Sequence, residues 1–248
     1  MGPGTSLQRV EYFHLAFLRL LEERVDKRCY VLKGGCNVRF FFASPRYSED
    51  MDLDIETVAV ATLRKNVEKI LLGKTLAHQL RMRDLNVERF SAPKQTETTQ
   101  RWKVALKPVS SDVLLHTKIE FSRRGLEAGA ELAAIDSGVA QTYQIPLLMV
   151  KHYNALAAIR QKIDALLNRP ETQARDVFDL NILMSHTAEK ATLPHEATRR
   201  SEAEEKILSL SFDEFRAQVV SYLTATDQDR YADPRLWKRI QSQVIARL

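Results

Sequence analysis

Apolar residues recur along the first part of the chain at three- and four-residue steps. Leu7, Val10, Phe13, Phe17, Leu20, Leu21 and Val25 share one face of a helix over residues 7–27, the pattern of an element packed on a core. Residues 29–32 form a short apolar strand, and NVRFFFA, residues 37–43, reads as a buried helical segment closed by Pro45. Near residue 51 the period changes to two. Met51, Leu53 and Ile55 alternate with Asp50, Asp52 and Asp54, which predicts a strand carrying its acids on one face. Residues 58–85 predict one helix interrupted near Gly73, or two. Residues 87–108 predict two strands around the polar turn KQTETTQ, and residues 113–122 a further strand. From 130 to 144 the pattern is weak. Pro146 fits the first turn of a helix, and from there the pattern is helical over 146–168, 174–185, about 200–225 and 234–247. The expected fold is therefore an α/β N-terminal lobe with a mixed sheet, residues 1–145, followed by an α-helical C-terminal lobe, residues 146–248.

Composition narrows the class without naming a function. The chain has 248 residues, 44% of them hydrophobic and 28% charged, with 8 Gly and 8 Pro, as in a folded globular protein rather than a disordered or collagen-like one. Cys29 and Cys36 are too few for a disulfide framework and are not spaced like a zinc site, which points to a reducing, cytoplasmic setting. No apolar run is long enough to cross a bilayer, and the start MGPGTSLQRVEYFH lacks the basic and apolar regions of a signal peptide. His14, His78, His116, His152, His186 and His195 show no metal-ligand spacing and read as surface or core residues; Trp102 and Trp237 read as packing.

Charge is more informative by position than in total. The net charge is +5, yet five acids lie between Glu49 and Glu56, so the remainder of the first 140 residues is distinctly basic. Asp50, Asp52 and Asp54 fall on one strand face about 6.6 Å apart, close enough to repel. An exposed strand surface would carry such a pattern; so would a magnesium site, because a hard divalent cation takes carboxylate oxygens and turns the repulsion into binding. Upstream, a strand runs into Lys33, Gly34, Gly35 and Cys36 and then a helix, an arrangement in which bare backbone N–H groups and a helix N-terminus can cradle phosphate. The turn fits neither the GxxxxGK[ST] nor the GxGxxG pattern, so the nucleotide-binding loops those describe are poorly supported. Together, the turn and the acidic strand place a phosphate cradle beside a metal site.

The segment YVLKGGCNVRFFFASPRYSEDMDLDIE, residues 30–56, resembles the signature of the AbiEii-type nucleotidyltransferase toxins, a branch of the DNA polymerase beta-like nucleotidyltransferase superfamily. Its pattern is Gly-Gly-Ser/Thr followed by Arg-x-Ser-x-Asp-x-Asp, matched here by Arg46, Ser48, Asp50 and Asp52. TKIEFS, residues 117–122, resembles the strand that supplies a third carboxylate, Glu120. KIDALLNRPETQARDVFDL, residues 162–180, resembles the Lys-x-x-Ala-Leu and Arg-Asp-x-x-Asp motifs of the helical half. The resemblance implies catalytic roles for Asp50, Asp52, Lys162 and Asp176, and nucleotide contacts from Lys33, Gly34, Gly35, Cys36, Arg39, Arg46, Ser48 and Arg175. It also implies a two-ion Mg²⁺ site on Asp50, Asp52 and Glu120, with Asp179 structural.

Two positions depart from the pattern. Cys36 stands where Ser or Thr is usual, and Glu120 is one methylene longer than the common Asp. On a helix over 146–168, Lys151, Lys162 and Arg169 would lie within about 20° of one another as a basic stripe beside the core. The implied activity is transfer of a nucleoside monophosphate from an NTP to an acceptor hydroxyl, on RNA such as a tRNA 3′ end, by a monomer opposed by a separate antitoxin. A small-molecule acceptor, as in the aminoglycoside-modifying branch, and a non-catalytic nucleotide-binding member are the alternatives these residues leave open.

Overall fold

The computed structural model describes residues 4–188 and 196–248; residues 1–3 and 189–195, His195 among them, lie outside the description. The elements run α1 (Ser6–Glu22), β1 (Tyr30–Lys33), α2 (Gly34–Phe41), β2 (Met51–Ile55), α3 (Val60–Leu71), α4 (Lys74–Arg81), β3 (Leu85–Gln95), β4 (Thr99–Pro108), β5 (Leu115–Ser122), β6 (Ala130–Ala134), α5 (Ser137–Tyr143), β7 (Met149–Tyr153), α6 (Ala155–Asn168), α7 (Ala174–Ser185), α8 (Glu196–Ser209), α9 (Phe212–Gln218), α10 (Ala225–Tyr231) and α11 (Pro234–Arg247). Among the described residues the strands form one mixed seven-stranded sheet in the order β3-β4-β5-β2-β1-β7-β6. The chain divides into two compact units, one of residues 1–37 and 47–152, the other of residues 38–46 and 153–248. No described helix is long and apolar enough to cross a membrane.

The first unit holds the sheet. β2 lies between β1, to which it is antiparallel, and β5, to which it is parallel, so the acidic strand is central. Met51, Leu53 and Ile55 are buried, as the alternation predicts, and Asp54 on the opposite face is buried too. A central strand covered on both faces is unlike the exposed surface that three acids could equally have marked. Helix α1 begins at a Thr5–Gln8 capping box and buries Phe13, Phe17, Leu18 and Leu21. It also buries His14, whose Nε2 lies 2.7 Å from Thr117 Oγ1 on β5. The Thr117 hydroxyl donates to the Glu49 carbonyl at 2.7 Å, so Nε2 carries the ring proton and Thr117 relays one hydrogen bond into the next. The other ring nitrogen, Nδ1, is 3.6 Å from Cys36 Sγ.

The second unit is helical and has its own core. Phe215 and Trp237 stack with centroids 4.5 Å apart and planes 16° from parallel. Trp237 Nε1 donates to the Leu210 carbonyl at 3.2 Å, which satisfies its polar edge inside an apolar cluster. Trp102 and Trp237 are both packing residues, as expected.

Three expectations from periodicity need correction. Pro146 does not open a helix: residues 149–153 form β7, parallel to β1, and Asn154 caps α6 by accepting the Ala157 N–H at 3.0 Å. An apolar run that finishes a sheet reads in sequence like the start of a buried helix. Lys151 consequently lies on a strand, with Nζ 3.1 Å from the Arg28 carbonyl, and the basic stripe it would have formed with Lys162 and Arg169 does not exist. The single helix expected over 200–225 is broken after Ser209, because Ser211 and Glu214 form a capping box that starts α9. The weak stretch 130–144 contains β6 and the short α5, capped by Asp136 and closed by Gln144 in the left-handed region.

Burial pushes the His14 imidazole from an ordinary 6.5 down to about 3. In the unfolded chain it regains its ordinary value, so below pH 6.5 unfolding takes up a proton, and stability falls as pH drops from 6.5 toward 3. Urea midpoints followed across that range are expected to fall less steeply for His14→Asn than for the parent; equal slopes would mean that the ring is protonated in the folded state.

Candidate active site

The turn after β1 is shaped by the acid opposite it. The antiparallel register sets Lys33 against Asp52 and Val31 against Asp54. Gly34 follows at φ +67, in the left-handed region, and a Cβ there would lie 2.9 Å from Asp52 Oδ2. Glycine is thus needed twice, for its backbone angle and for the close approach of the carboxylate. Helix α2 starts at Gly34, so its N-terminus begins at the residue packed closely against Asp52. The Lys33 ammonium forms an ion pair with the buried Asp54 carboxylate.

The parallel register between β2 and β5 pairs Asp52 with Glu120. Asp50 lies two residues before Asp52 and Lys118 two before Glu120, so all four project from the same sheet face. At a strand spacing of about 4.8 Å and an effective dielectric near 20, the Asp52–Glu120 pair repels by about 3 kcal/mol. Two cations offset this. Lys118 Nζ lies 3.1 Å from Asp50 Oδ2 and 3.8 Å from Glu120 Oε2, and Arg101 Nε, from the facing position on β4, lies 2.6 Å from Glu120 Oε2. Burial is the largest influence on Asp52 and raises its carboxyl above the usual range; Asp50 and Glu120 add to the rise, while Lys118 and Lys33 oppose it. Lys118 is held above its ordinary value because Asp52, Asp50 and Glu120 outweigh the burial that would lower it.

Two motif side chains turn toward the backbone of Asp50. Ser48 Oγ donates to the Asp50 carbonyl at 2.8 Å, and Cys36 Sγ donates to the same oxygen at 3.3 Å. Cys36 is buried, and burial first of all pushes its thiol well above the ordinary value, so it stays protonated as the donor this contact needs. Both side chains therefore place Asp50.

The second unit collects the remaining motif residues around buried charge. Lys162 Nζ on α6 lies 2.9 Å from Asp176 Oδ1 and 2.6 Å from Asp179 Oδ2 on α7. Arg169 Nη1, at the end of α6, reaches Asp176 Oδ2 at 2.7 Å. Arg46 approaches Asp179 through Nε at 3.1 Å and Nη2 at 2.8 Å, with 5% of its side chain exposed. Burial would raise the Asp179 carboxyl, but Arg46 and Lys162 together hold it below the usual range. Arg39 Nη1 donates to the Ser44 carbonyl at 2.7 Å, and Arg175 sits partly buried on α7 next to Asp176.

Lys33 to Cys36, Ser48, Asp50, Asp52 and Glu120 thus gather in the sheet unit, and Arg39, Arg46, Lys162, Arg175 and Asp176 belong to the helical one. Lys118 and Arg101 complete the acidic site without having been singled out in the sequence. Lys118 had a visible signal, two residues before Glu120 on an alternating strand, whereas Arg101 depends on a cross-strand register. Among the described residues no three or more of His, Cys, Asp and Glu are arranged as a ready-made metal cage.

The comparisons with known proteins agree with this architecture. The structure is similar to JHP933 from Helicobacter pylori, at 17% identity and a TM-score of 0.61 over 97% of this chain and 94% of that one. It is similar to the nucleotidyltransferase toxin MenT4 from Mycobacterium tuberculosis, at 17% identity and a TM-score of 0.59 over 96% and 92%. No curated sequence matches. A family described as nucleotidyl transferase AbiEii toxin, type IV toxin–antitoxin system, matches residues 16–246. With its signature residues on the Gly34 turn and the Asp strand, this chain belongs to the AbiEii nucleotidyltransferase toxin family.

Proposed function

We propose that the protein transfers a nucleoside monophosphate from an NTP to an acceptor hydroxyl on RNA, with a tRNA 3′ end as the favoured acceptor, in a Mg²⁺-dependent reaction in the cytoplasm that a cognate antitoxin opposes. The observation that carries this reading is the placement of Asp50, Asp52 and Glu120 on one face of neighbouring strands, beside a helix that starts at Gly34, where a Cβ would lie 2.9 Å from Asp52 Oδ2. RNA as acceptor and the antitoxin rest on the family alone.

The donor set fits magnesium. Its oxygens are all carboxylate, and the Lys118 ammonium already lies between Asp50 and Glu120 as the positive charge they require. Mg²⁺ is usually held by one or two carboxylates and completed by substrate phosphates and water, so Asp50 and Asp52 would be enough to begin such a site. Asp50 and Asp52 would hold the ions, with Glu120 as third ligand. When bound, the ions supply a lowered pKa for the acceptor hydroxyl and neutralise charge on the triphosphate.

The protein's own residues do the placing. Ser48 and Cys36 fix the Asp50 carbonyl, and the lack of a side chain at Gly34 lets α2 begin close to Asp52, where the N–H groups of a helix start would offer donors to phosphate oxygens. Because Cys36 points inward, replacing the usual hydroxyl by a thiol leaves these backbone donors in place. That supports a catalytic reading over a non-catalytic one. Lys162 is the proposed cationic catalytic group of the helical unit: two carboxylates hold its ammonium charged and oriented, and Asp176 and Asp179 are positioned in turn by Arg169 and Arg46.

The test is incubation with each labelled NTP, Mg²⁺ and total tRNA. Labelled RNA is the expected product, and Asp52→Asn is expected to reduce its rate more than about a hundredfold with the fold intact. Labelling of a small molecule instead of RNA would move the acceptor to the other branch, and unchanged labelling by Asp52→Asn would overturn the metal-site assignment. In urea unfolding, Arg46→Ala is expected to destabilise the helical unit by about 3–5 kcal/mol, because a buried carboxylate loses its guanidinium. A loss below about 1 kcal/mol would mean that Asp179 does not depend on that pair.

A further inference from the structure

Lys118 has neighbours of opposite sign on its two sides. Continuing the β2–β5 register back by one residue from Met51 and Ile119 brings it beside Asp50, and its ammonium contacts Asp50 and Glu120. On its other side β4 presents Lys103 directly opposite, a like charge that disfavours any swing of the ammonium that way. Arg101 holds Glu120 from the same strand. Three carboxylates are thus balanced by two protein cations, and one of these, Lys118, lies against an oxygen of Asp50 that a metal ion would also need.

We propose that Lys118 is a built-in competitor for the metal: its ammonium bridges Asp50 and Glu120 in the metal-free protein and must leave Asp50 for a divalent ion to bind there. This rests on the functional reading above. The triphosphate gives the displaced ammonium another anion to meet, so metal and nucleotide bind better together than either does alone. Neither an idle metal-loaded site nor an uncompensated acidic cluster is then stable, and the site becomes cationic enough for chemistry only when both parts of the substrate are present.

The measurement is Mn²⁺ titration followed by electron paramagnetic resonance, with nucleotide absent. Lys118→Gln is expected to bind Mn²⁺ on the order of tenfold more tightly than the parent, Lys118→Arg to bind as weakly as the parent, and Asp52→Asn to lose binding. Equal affinity of Lys118→Gln and parent, with Asp52→Asn still defective, would overturn the competition while leaving the metal site in place. If Asp52→Asn binds as the parent does, the metal-site reading fails and the competitor role with it. A measurement on the unmutated chain covers the case in which a variant does not fold. Limiting acetic anhydride followed by peptide mass spectrometry should acetylate Lys118 several-fold faster once Mn²⁺ is added, and an unchanged rate would refute displacement.

Discussion

Carboxylates on neighbouring strands repel, and the register that pairs Asp52 with Glu120 leaves no room for them to separate. Much of the sheet unit follows from that constraint. β1 brings Lys33 to Asp54, β4 brings Arg101 to Glu120, and β5 brings Lys118 between Asp50 and Glu120. The strand order that makes β2 central is also what lets cations reach its acids from both sides. Such a cluster is poorly suited to stabilising a fold, since desolvated charge can lose more to water than it regains from its partners. It is well suited to receiving a cation.

The helical unit meets the same difficulty with a different balance. Two buried aspartates are held by three cations, Lys162, Arg169 and Arg46, so the network is over-compensated where the sheet site is under-compensated. An excess of fixed positive charge is a suitable environment for triphosphate or RNA phosphate, and an excess of negative charge for metal. The site in the sheet unit is thus net acidic and the network in the helical unit net basic, a division that the chain's total of +5 conceals.

How much of this was legible depended on whether the signal was local. The Asp strand and the Gly34 turn were readable because period-two alternation and adjacent glycines are features of a few consecutive residues. The strand β7 was not, since the apolar residues just before Asn154 suit a buried helix as well as a parallel strand, and only pairing with β1 decides between them. Arg101 was invisible for a related reason: nothing near it in sequence marks it, and its role arises from lying opposite Glu120. Arg46 was found by motif, but its partner Asp179 lies 133 residues away. Long-range ion pairing leaves no local trace.

The motif residues themselves divide between contact and support. Ser48 and Cys36 converge on one carbonyl, Asp50, while Thr117 takes the carbonyl before it, Glu49, and receives a hydrogen bond from His14. Four side chains from α1, α2, the segment before β2 and β5 thus fasten two consecutive peptide groups at the entrance to the acidic strand. Like charges favour any movement that spreads them apart, and fastening the backbone removes the easiest such movement. The need here is for a donor aimed at a carbonyl, which a buried, protonated thiol can fill as a hydroxyl can, though more weakly. That explains how Cys36 can stand at a position where Ser or Thr is usual without disturbing the carboxylates. The Cys36 departure changes a support of the site and leaves the Asp50 and Asp52 carboxylates in place.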